Sequence, residues 1–344
     1  MQLYRITERN FLELLNDIAK ERDLFVPSSS DGGSGYTNWD HFQGSAVSFP
    51  VTRILTPPKV FFFPPKEQVS RFPDKDFQPE RKKQAVFGLK SCDLVSLQVL
   101  DAIFLEEEIT DPYYAIRRHD TLLISSDCYD VADTCFCNKI GGQPYPKGGF
   151  DLNISRLPRR DDLFVEVNDE SKEAQDLYQR NSNLFQPVSE ELLAERTSFR
   201  KSLTEELDRK NNFVDLSKRK PEIPYRDPIW TDLSEECVEC GACNFSCPTC
   251  HCFQLYEKPK NTSVNRRRVW DSCNLKGYSR VAGGANPLES LESRVRNRFY
   301  DKFERVYENY GFYGCTGCGR CTDSCMGDID IRDVLKEIPS ANTK

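Results

Sequence analysis

Cys237, Cys240, Cys243 and Cys247 follow the spacing C-x2-C-x2-C-x3-C, with Pro248 next, and Cys315, Cys318, Cys321 and Cys325 repeat it. Thiolates are soft ligands suited to iron and zinc. Steps of three residues let one short turn present three sulfurs to three corners of a cubane. Each of the four irons needs one thiolate, so the fourth must come from elsewhere. Where this spacing holds two [4Fe–4S] clusters, the fourth cysteine of each run ligates the other cluster. The expected sets are therefore Cys237, Cys240, Cys243 and Cys325 for one cluster, and Cys315, Cys318, Cys321 and Cys247 for the second. Such crossed ligation ties the two segments together and keeps the clusters close enough for electrons to tunnel. Gly241, Gly317 and Gly319 fall between ligands, where the backbone turns sharply toward sulfur. A pair of structural zinc sites is the alternative, but two full runs exceed what zinc needs.

Seven of the fifteen cysteines lie outside these runs. Cys92 follows the apolar stretch Ala85–Leu89, Cys128 follows Thr121–Ile124, and Cys135 and Cys137 come directly afterwards. If the two stretches are neighbouring parallel strands, their ends bring all four thiols to one edge. A third [4Fe–4S] cluster, a zinc site and unligated thiols all remain open there, because the spacing is irregular. Cys250, Cys252 and Cys273 read as buried thiols, with hydrogen bonding to a cluster or a further metal site as the alternatives. The only histidines, His41, His119 and His251, form no pair at metal-ligand spacing. His251 is expected to donate a hydrogen bond near a cluster. No G-x-G-x-x-G before a helix and no phosphate loop is present, so no flavin or nucleotide site and no catalytic site are expected.

The elements that position these residues suggest a mixed-sheet α/β domain over residues 1–167. A charged helical region and linker follow at 168–232. A helical, ferredoxin-like domain with two clusters occupies 233–344. Phe11, Leu12, Leu14, Leu15 and Ile18 give a helix over 7–20 its apolar face. Ala85–Leu89, Thr121–Ile124 and Phe164–Val167 read as strands, and Leu94–Leu105 as a helix between the first two. Val60–Phe63 is a short apolar run closed by Pro58 and Pro64. Helices are expected at 171–180 and 189–209, and Pro221, Pro224 and Pro228 mark the linker. About seventy residues separate the cysteine runs. Within them, residues 287–310 read as a helix with an apolar stripe of Leu291, Val295, Phe299, Phe303, Val306 and Tyr310. Arg294, Arg298, Lys302 and Arg305 lie one position away and read as a solvated basic ridge, with the docking of an acidic partner as the alternative.

The 344 residues can bury a proper core without disulfides. An odd count of clustered cysteines without a secretory signal fits a reducing compartment and metal ligation. The net charge of −7 is well mixed, which argues against nucleic acid as a partner. No apolar run approaches the roughly 20 residues of a membrane span. The expectation is a cytoplasmic protein.

The stretches Phe87–Leu94, Asp111–Tyr114, Arg117-Arg118, Thr134–Cys137 and Gly149–Leu152 resemble the beta subunit of cytoplasmic sulfhydrogenases. The 4Fe–4S dicluster subunit of anaerobic sulfite reductases is similar. Cys247–Cys250, Val269–Cys273, Ala282–Gly284 and Cys315–Cys321 extend the likeness to most of the chain, apart from 168–230. Lys90-Ser91 stands where the family has Arg-Pro, and Met326 where it has proline. The resemblance implies an iron–sulfur subunit that passes electrons between a flavoprotein handling NAD(P)H and a catalytic subunit. That catalytic subunit is of nickel–iron hydrogenase or sirohaem sulfite-reductase type. A stand-alone iron–sulfur oxidoreductase working through the N-terminal cysteines is the alternative.

Overall fold

The apolar runs of the first half pair side by side. In the computed structural model, which describes residues 2–30, 33–42, 49–50, 52–74, 77–78, 80–106 and 108–342, they form one eight-stranded sheet. Its strands are β1 (Gln2–Thr7), β2 (Asp23–Ser30), β3 (Gly33–Asn38), β5 (Gln84–Leu89), β6 (Thr121–Ser126), β7 (Leu152–Arg156), β8 (Asp162–Val167) and β9 (Gln186–Pro187). β4 (Lys66–Phe72) belongs elsewhere. The order is β3-β2-β5-β6-β7-β8-β1-β9. β2, β5, β6 and β7 run parallel, and the flanking pairs are antiparallel. The central strands are buried on both faces, which is why they read as continuous apolar runs.

Helices cover both faces. α1 (Glu8–Ala19) is capped by the Thr7 hydroxyl, which accepts from the Asn10 N–H, and buries Phe11, Leu14, Leu15 and Ile18. Each such side chain contributes about 2 kcal/mol by leaving water. It shares that face with α5 (Lys172–Arg180) through Ala174 and Leu177. The opposite face packs α3 (Ser91–Leu105) and α4 (Pro112–His119) through Leu94, Leu97, Leu100, Phe104 and Tyr114. The Val60–Phe63 run closes as a one-turn helix, α2 (Lys59–Phe62), whose Phe62 and following Phe63 enter the same core.

α6 (Glu190–Lys210), capped by Ser189, crosses the sheet's end. The C-terminal region is mainly helical. It contains α7 (Pro228–Glu236), α8 (Ala242–Phe245), α9 (Leu291–Tyr300), a π-helical turn (Asp301–Arg305), α10 (Val306–Tyr310), α11 (Arg320–Asp323) and α12 (Ile331–Glu337). Trp230, Phe299, Phe303, Val334 and Leu335 form its core, which also takes in Phe136 from the first half. Two strands of the insert, β11 (Phe253–Lys260) and β12 (Ser263–Trp270), form a ribbon that the sequence does not announce. β12 pairs on its other side with β4. A short ladder of β10 (Arg219–Pro221) and β13 (Ser340–Asn342) ties down the C-terminus. Among the described residues no helix is long and apolar enough to cross a membrane.

Candidate metal centres

The parallel pairing of β5 and β6 decides where the N-terminal thiols meet. Cys92 is the second residue of α3, just past the carboxyl end of β5, and Cys128 follows β6 by two residues. Ligand sites in parallel sheets form at this edge. Cys92, Cys128, Cys135 and Cys137 line one cavity together with Arg53, Gln143, Leu207 and Cys318. Lys90 is buried there: its ammonium donates to the carbonyls of Pro50 and Asp127, both at 2.7 Å, and to the Ser126 hydroxyl at 3.0 Å. That clamps the Cys128 loop to the start of α3. From the far side Arg200 of α6 forks onto the Asp127 carboxylate at 2.8 and 2.9 Å. Burial pushes Cys128 up to about 12 and Cys137 well above the ordinary thiol value. These thiols stay protonated at neutral pH unless a metal displaces the proton.

In the C-terminal region the first expected set, Cys237, Cys240, Cys243 and Cys325, lines a cavity of its own (the first cavity), with apolar Val238, Val295, Phe299, Ile329 and Ile331 completing its wall. Cys321 of the other predicted set lines it too. The expected second set, Cys247, Cys315, Cys318 and Cys321, is interleaved between the two cavities. Cys315 and Cys321 each lie within electrostatic reach of Cys247, and Cys321 of Cys318 and Cys243. Burial raises Cys315 to about 12 and Cys321 to about 11.

The two regions interlock at this middle set. The Gly317 carbonyl accepts from the Phe136 N–H at 2.7 Å. With φ +61°, a Cβ at Gly317 would come within 2.6 Å of the Cys137 backbone, so only glycine allows this approach. Arg320, between Cys318 and Cys321, pairs at 2.7 Å with Asp93, the residue after Cys92. Both side chains are fully buried, so removing one partner would strand a charge. The Arg320 Nε also donates to the Ile54 carbonyl at 2.7 Å.

The expected solvated ridge on the insert helix is overturned. Arg294, Arg298 and Lys302 are all buried, and only Arg305 is exposed. The helix buries two adjacent stripes. One is Val295, Phe299 and Phe303 in the core. In the other, Arg298 and Lys302 turn toward the thiols, while Arg294 pairs with the Glu239 carboxylate and donates to the Asn274 carbonyl at 3.0 Å. Lys302 donates to the Cys247 sulfur at 3.2 Å, to the Thr249 hydroxyl at 3.1 Å and to the Gly314 carbonyl at 3.0 Å. Arg298 donates to the Asn244 side-chain carbonyl at 2.9 Å. A hydrogen bond with Cys250 and the nearby Lys302 ammonium hold Cys247 well below the ordinary thiol value. Burial alone would lower Lys302, but the Cys247 and Cys250 sulfurs raise it instead. Periodicity marked both stripes; what it could not supply was the charge that the second stripe faces.

Further donors aim at sulfur. The Asn274 amide reaches Cys243 at 3.3 Å, and backbone N–H groups of Gly317 and Ile329 reach Cys315 and Cys325 at 3.5 and 3.3 Å. Such N–H···S bonds tune an iron–sulfur centre. Among the described residues no three of these side chains converge on one point, as the ligands of a single ion do. The thiols instead spread around cavity walls, as a cubane requires. Dispersed thiols, apolar walls and buried cations fit an anionic cluster and fit tetrahedral zinc poorly.

A family model described as a 4Fe-4S dicluster domain matches residues 236–329. The chain carries a dicluster domain and holds two [4Fe–4S] clusters. It is an iron–sulfur protein for electron transfer. Over 295 residues, 85% of this chain and 85% of the relative, it is 28% identical to the sulfhydrogenase 2 beta subunit of Pyrococcus furiosus. That likeness is the one the motifs predict, and it runs well beyond the dicluster domain into the sheet region.

Cys250, Cys252 and Cys273 fall outside the three sets. Cys252 and Cys273 share a hydrogen bond that lowers Cys252 to about 6 and raises Cys273. Asn244 sits between them and Cys250, donating to the Cys273 sulfur at 3.3 Å and accepting from the Cys250 thiol at 3.6 Å. His251 has its Nδ1 3.1 Å from the Thr249 carbonyl, and its ring stands edge-on to Phe104. Trp270 donates to the Phe63 carbonyl at 2.9 Å, with the Lys59 ammonium 4.1 Å above its ring.

Proposed function

We propose that this chain is the electron-relay subunit of a hydrogenase-type complex. It would link a flavoprotein that handles NAD(P)H to the catalytic subunit. The observation that supports it is the sequence of thiol sets through the molecule. Cys321 of the middle set lines the wall of the first cavity, and Cys318 of the same set lines the N-terminal one. In this reading Cys237, Cys240, Cys243 and Cys325 ligate one cluster, and Cys315, Cys318, Cys321 and Cys247 the second. Cys92, Cys128, Cys135 and Cys137 ligate a third. When bound, the clusters supply one-electron carriers in contiguous positions. The chain's residues do the rest. Lys302, Arg298 and Arg320 offset negative charge in a dry interior, and the N–H donors stabilise sulfur. The interlocked Asp93–Arg320 pair fixes the spacing of the last two sites.

Anaerobic purification of the native complex, with iron analysis and a potentiometric EPR titration, tests this reading. The expected result is co-purifying flavoprotein and nickel–iron subunits, about twelve irons per chain, and reversible reduction of every cluster. A chain that purifies alone with intact clusters would overturn the relay, and about eight irons would remove the third centre.

A further inference from the structure

Of the fifteen thiols only Cys240 is exposed. It lies on the wall of the first cavity, beside Val238 and Gly327. Electron exchange weakens steeply with distance, so this edge is where the interior sites come nearest a partner. Val238 is 60% exposed and Met326 73%. The loop carrying Met326 sits directly on the Cys237 loop, because a Cβ on Gly327 would collide with the Glu236 carbonyl. The two side chains thus form a small apolar surface over the cavity, with no described cover.

Exposed carboxylates flank Val238 and Met326 along the chain. Asp232, Glu235, Glu236 and Asp328 are all exposed. None of them forms an ion pair with a cation among the described residues, whereas nearby Asp323 pairs with Arg53 and Asp333 with Lys336. The one carboxylate pointing inward, Glu239, is taken by Arg294. Glu235 and Glu236 occupy the last turn of α7, which carries no basic residue. Carboxylates at a helix C-terminus oppose the helix dipole, and they also face an anionic cluster across a thin wall. Both effects cost stability, and no cation among the described residues pairs with these carboxylates to offset them. A cationic surface laid over the face would offset both.

We propose that this face, Cys240 with Val238 and Met326 inside a carboxylate rim, docks an electron-transfer protein whose own redox centre is surrounded by basic residues. The proposal rests on the relay reading above. The apolar centre gives contact, and the rim steers the approach. Steering of this kind raises association rates by roughly 10- to 1,000-fold at low salt.

The test uses the full cluster-loaded chain, reduced anaerobically, in stopped-flow mixing with three oxidants: a basic monohaem cytochrome c, an acidic flavodoxin and uncharged 1,4-benzoquinone. The cytochrome should react fastest of the two proteins, and its rate should fall as ionic strength rises. The Glu235→Gln/Glu236→Gln/Asp328→Asn variant should lose roughly tenfold in that rate at low salt and flatten its salt dependence. Its rate with benzoquinone and its iron content should not change. Met326→Gln should weaken the cytochrome reaction without altering the salt slope. A cytochrome rate indifferent to salt or to the triple variant, with the quinone rate intact, overturns the docking face but leaves the relay standing. Clusters that deliver electrons to none of the three oxidants overturn both.

Discussion

Cys237, Cys240 and Cys243 lie within seven residues, and a single turn places them around one cavity. In the sheet region Cys92 and Cys128 are separated by thirty-five residues and meet only because β5 and β6 are parallel neighbours. The first arrangement carries its geometry in local spacing. The second takes its geometry from topology, helped by Lys90 and by the forked Arg200–Asp127 pair. The difference bears on folding. A sheet with its own packed faces can hold the strand ends in place whether or not metal is bound. The C-terminal loops have short helices and a core partly made of cysteine side chains, so metal binding there is folding energy as well.

The largest effects should follow from breaking one ligand in each region. Cys243→Ser should remove about four irons and loosen the C-terminal core, seen as lost near-ultraviolet dichroism and early proteolysis between 233 and 344. Cys128→Ser should also remove about four irons while the sheet keeps its far-ultraviolet signal and protease resistance. Equal unfolding in both variants would erase the contrast drawn above. Unchanged iron in Cys128→Ser would show that the N-terminal thiols hold none.

Next in size is the join between the regions. Arg320→Leu strands the buried Asp93 carboxylate and should cost about 3–5 kcal/mol in denaturant unfolding of the cluster-loaded protein. The double variant Asp93→Leu/Arg320→Leu should recover much of that loss, since neither charge is then left unpaired. Full additivity of the two single changes would mean that the pair is not what couples the regions.

The two cysteine runs were legible in the sequence because their spacing is local, and the meeting of the four N-terminal thiols at one cavity was legible once parallel strand order was assumed. α1, α3, α5 and α6 were legible in the sequence, and the helix starts expected at 7, 171 and 189 coincide with the caps Thr7, Ser171 and Ser189. The β11–β12 ribbon was not. Its strands carry mostly exposed and charged side chains and take their order from pairing with distant β4, so no local apolar alternation announces them. Arg294, Arg298 and Lys302 misled for a related reason. Basic residues at helical spacing usually face water, and only the folded chain shows that Arg298 and Lys302 face sulfur and that Arg294 faces the Glu239 carboxylate. The clue available was position: Arg320 and Asp93 each stand beside a cysteine, where a solvated role is hard to arrange.

A smaller effect separates the middle centre from the first. Lys302 donates directly to Cys247, while the donors to Cys243 and Cys325 are a neutral amide and a backbone N–H. Lys302→Met keeps the length of the side chain and removes the charge. The potential of the middle cluster should fall by roughly 60 mV, the one-electron equivalent of a tenfold change in equilibrium. The potential of the first cluster should move far less. A shift of equal size at both would assign the effect to the general field of the interior rather than to the Lys302 contact.

The smallest effect expected is at Cys273, and it bears on which thiols belong to the array. Cys273 is buried and hydrogen-bonded to Cys252 and Asn244. The Asn244 side chain occupies the space between Cys273 and Cys250, and Arg298 holds it there at 2.9 Å. A cubane at this point would have to displace that amide together with its five contacts, which also include the Ser272 hydroxyl at 2.8 Å and the Cys243 thiol at 3.9 Å. Serine in place of Cys273 keeps a hydrogen-bonding group of nearly the same shape, so Cys273→Ser should cost no more than about 1 kcal/mol and leave iron content unchanged. Iron loss from this variant alone would mean that Asn244 yields its place to a further centre, and the count of thiol sets would have to grow.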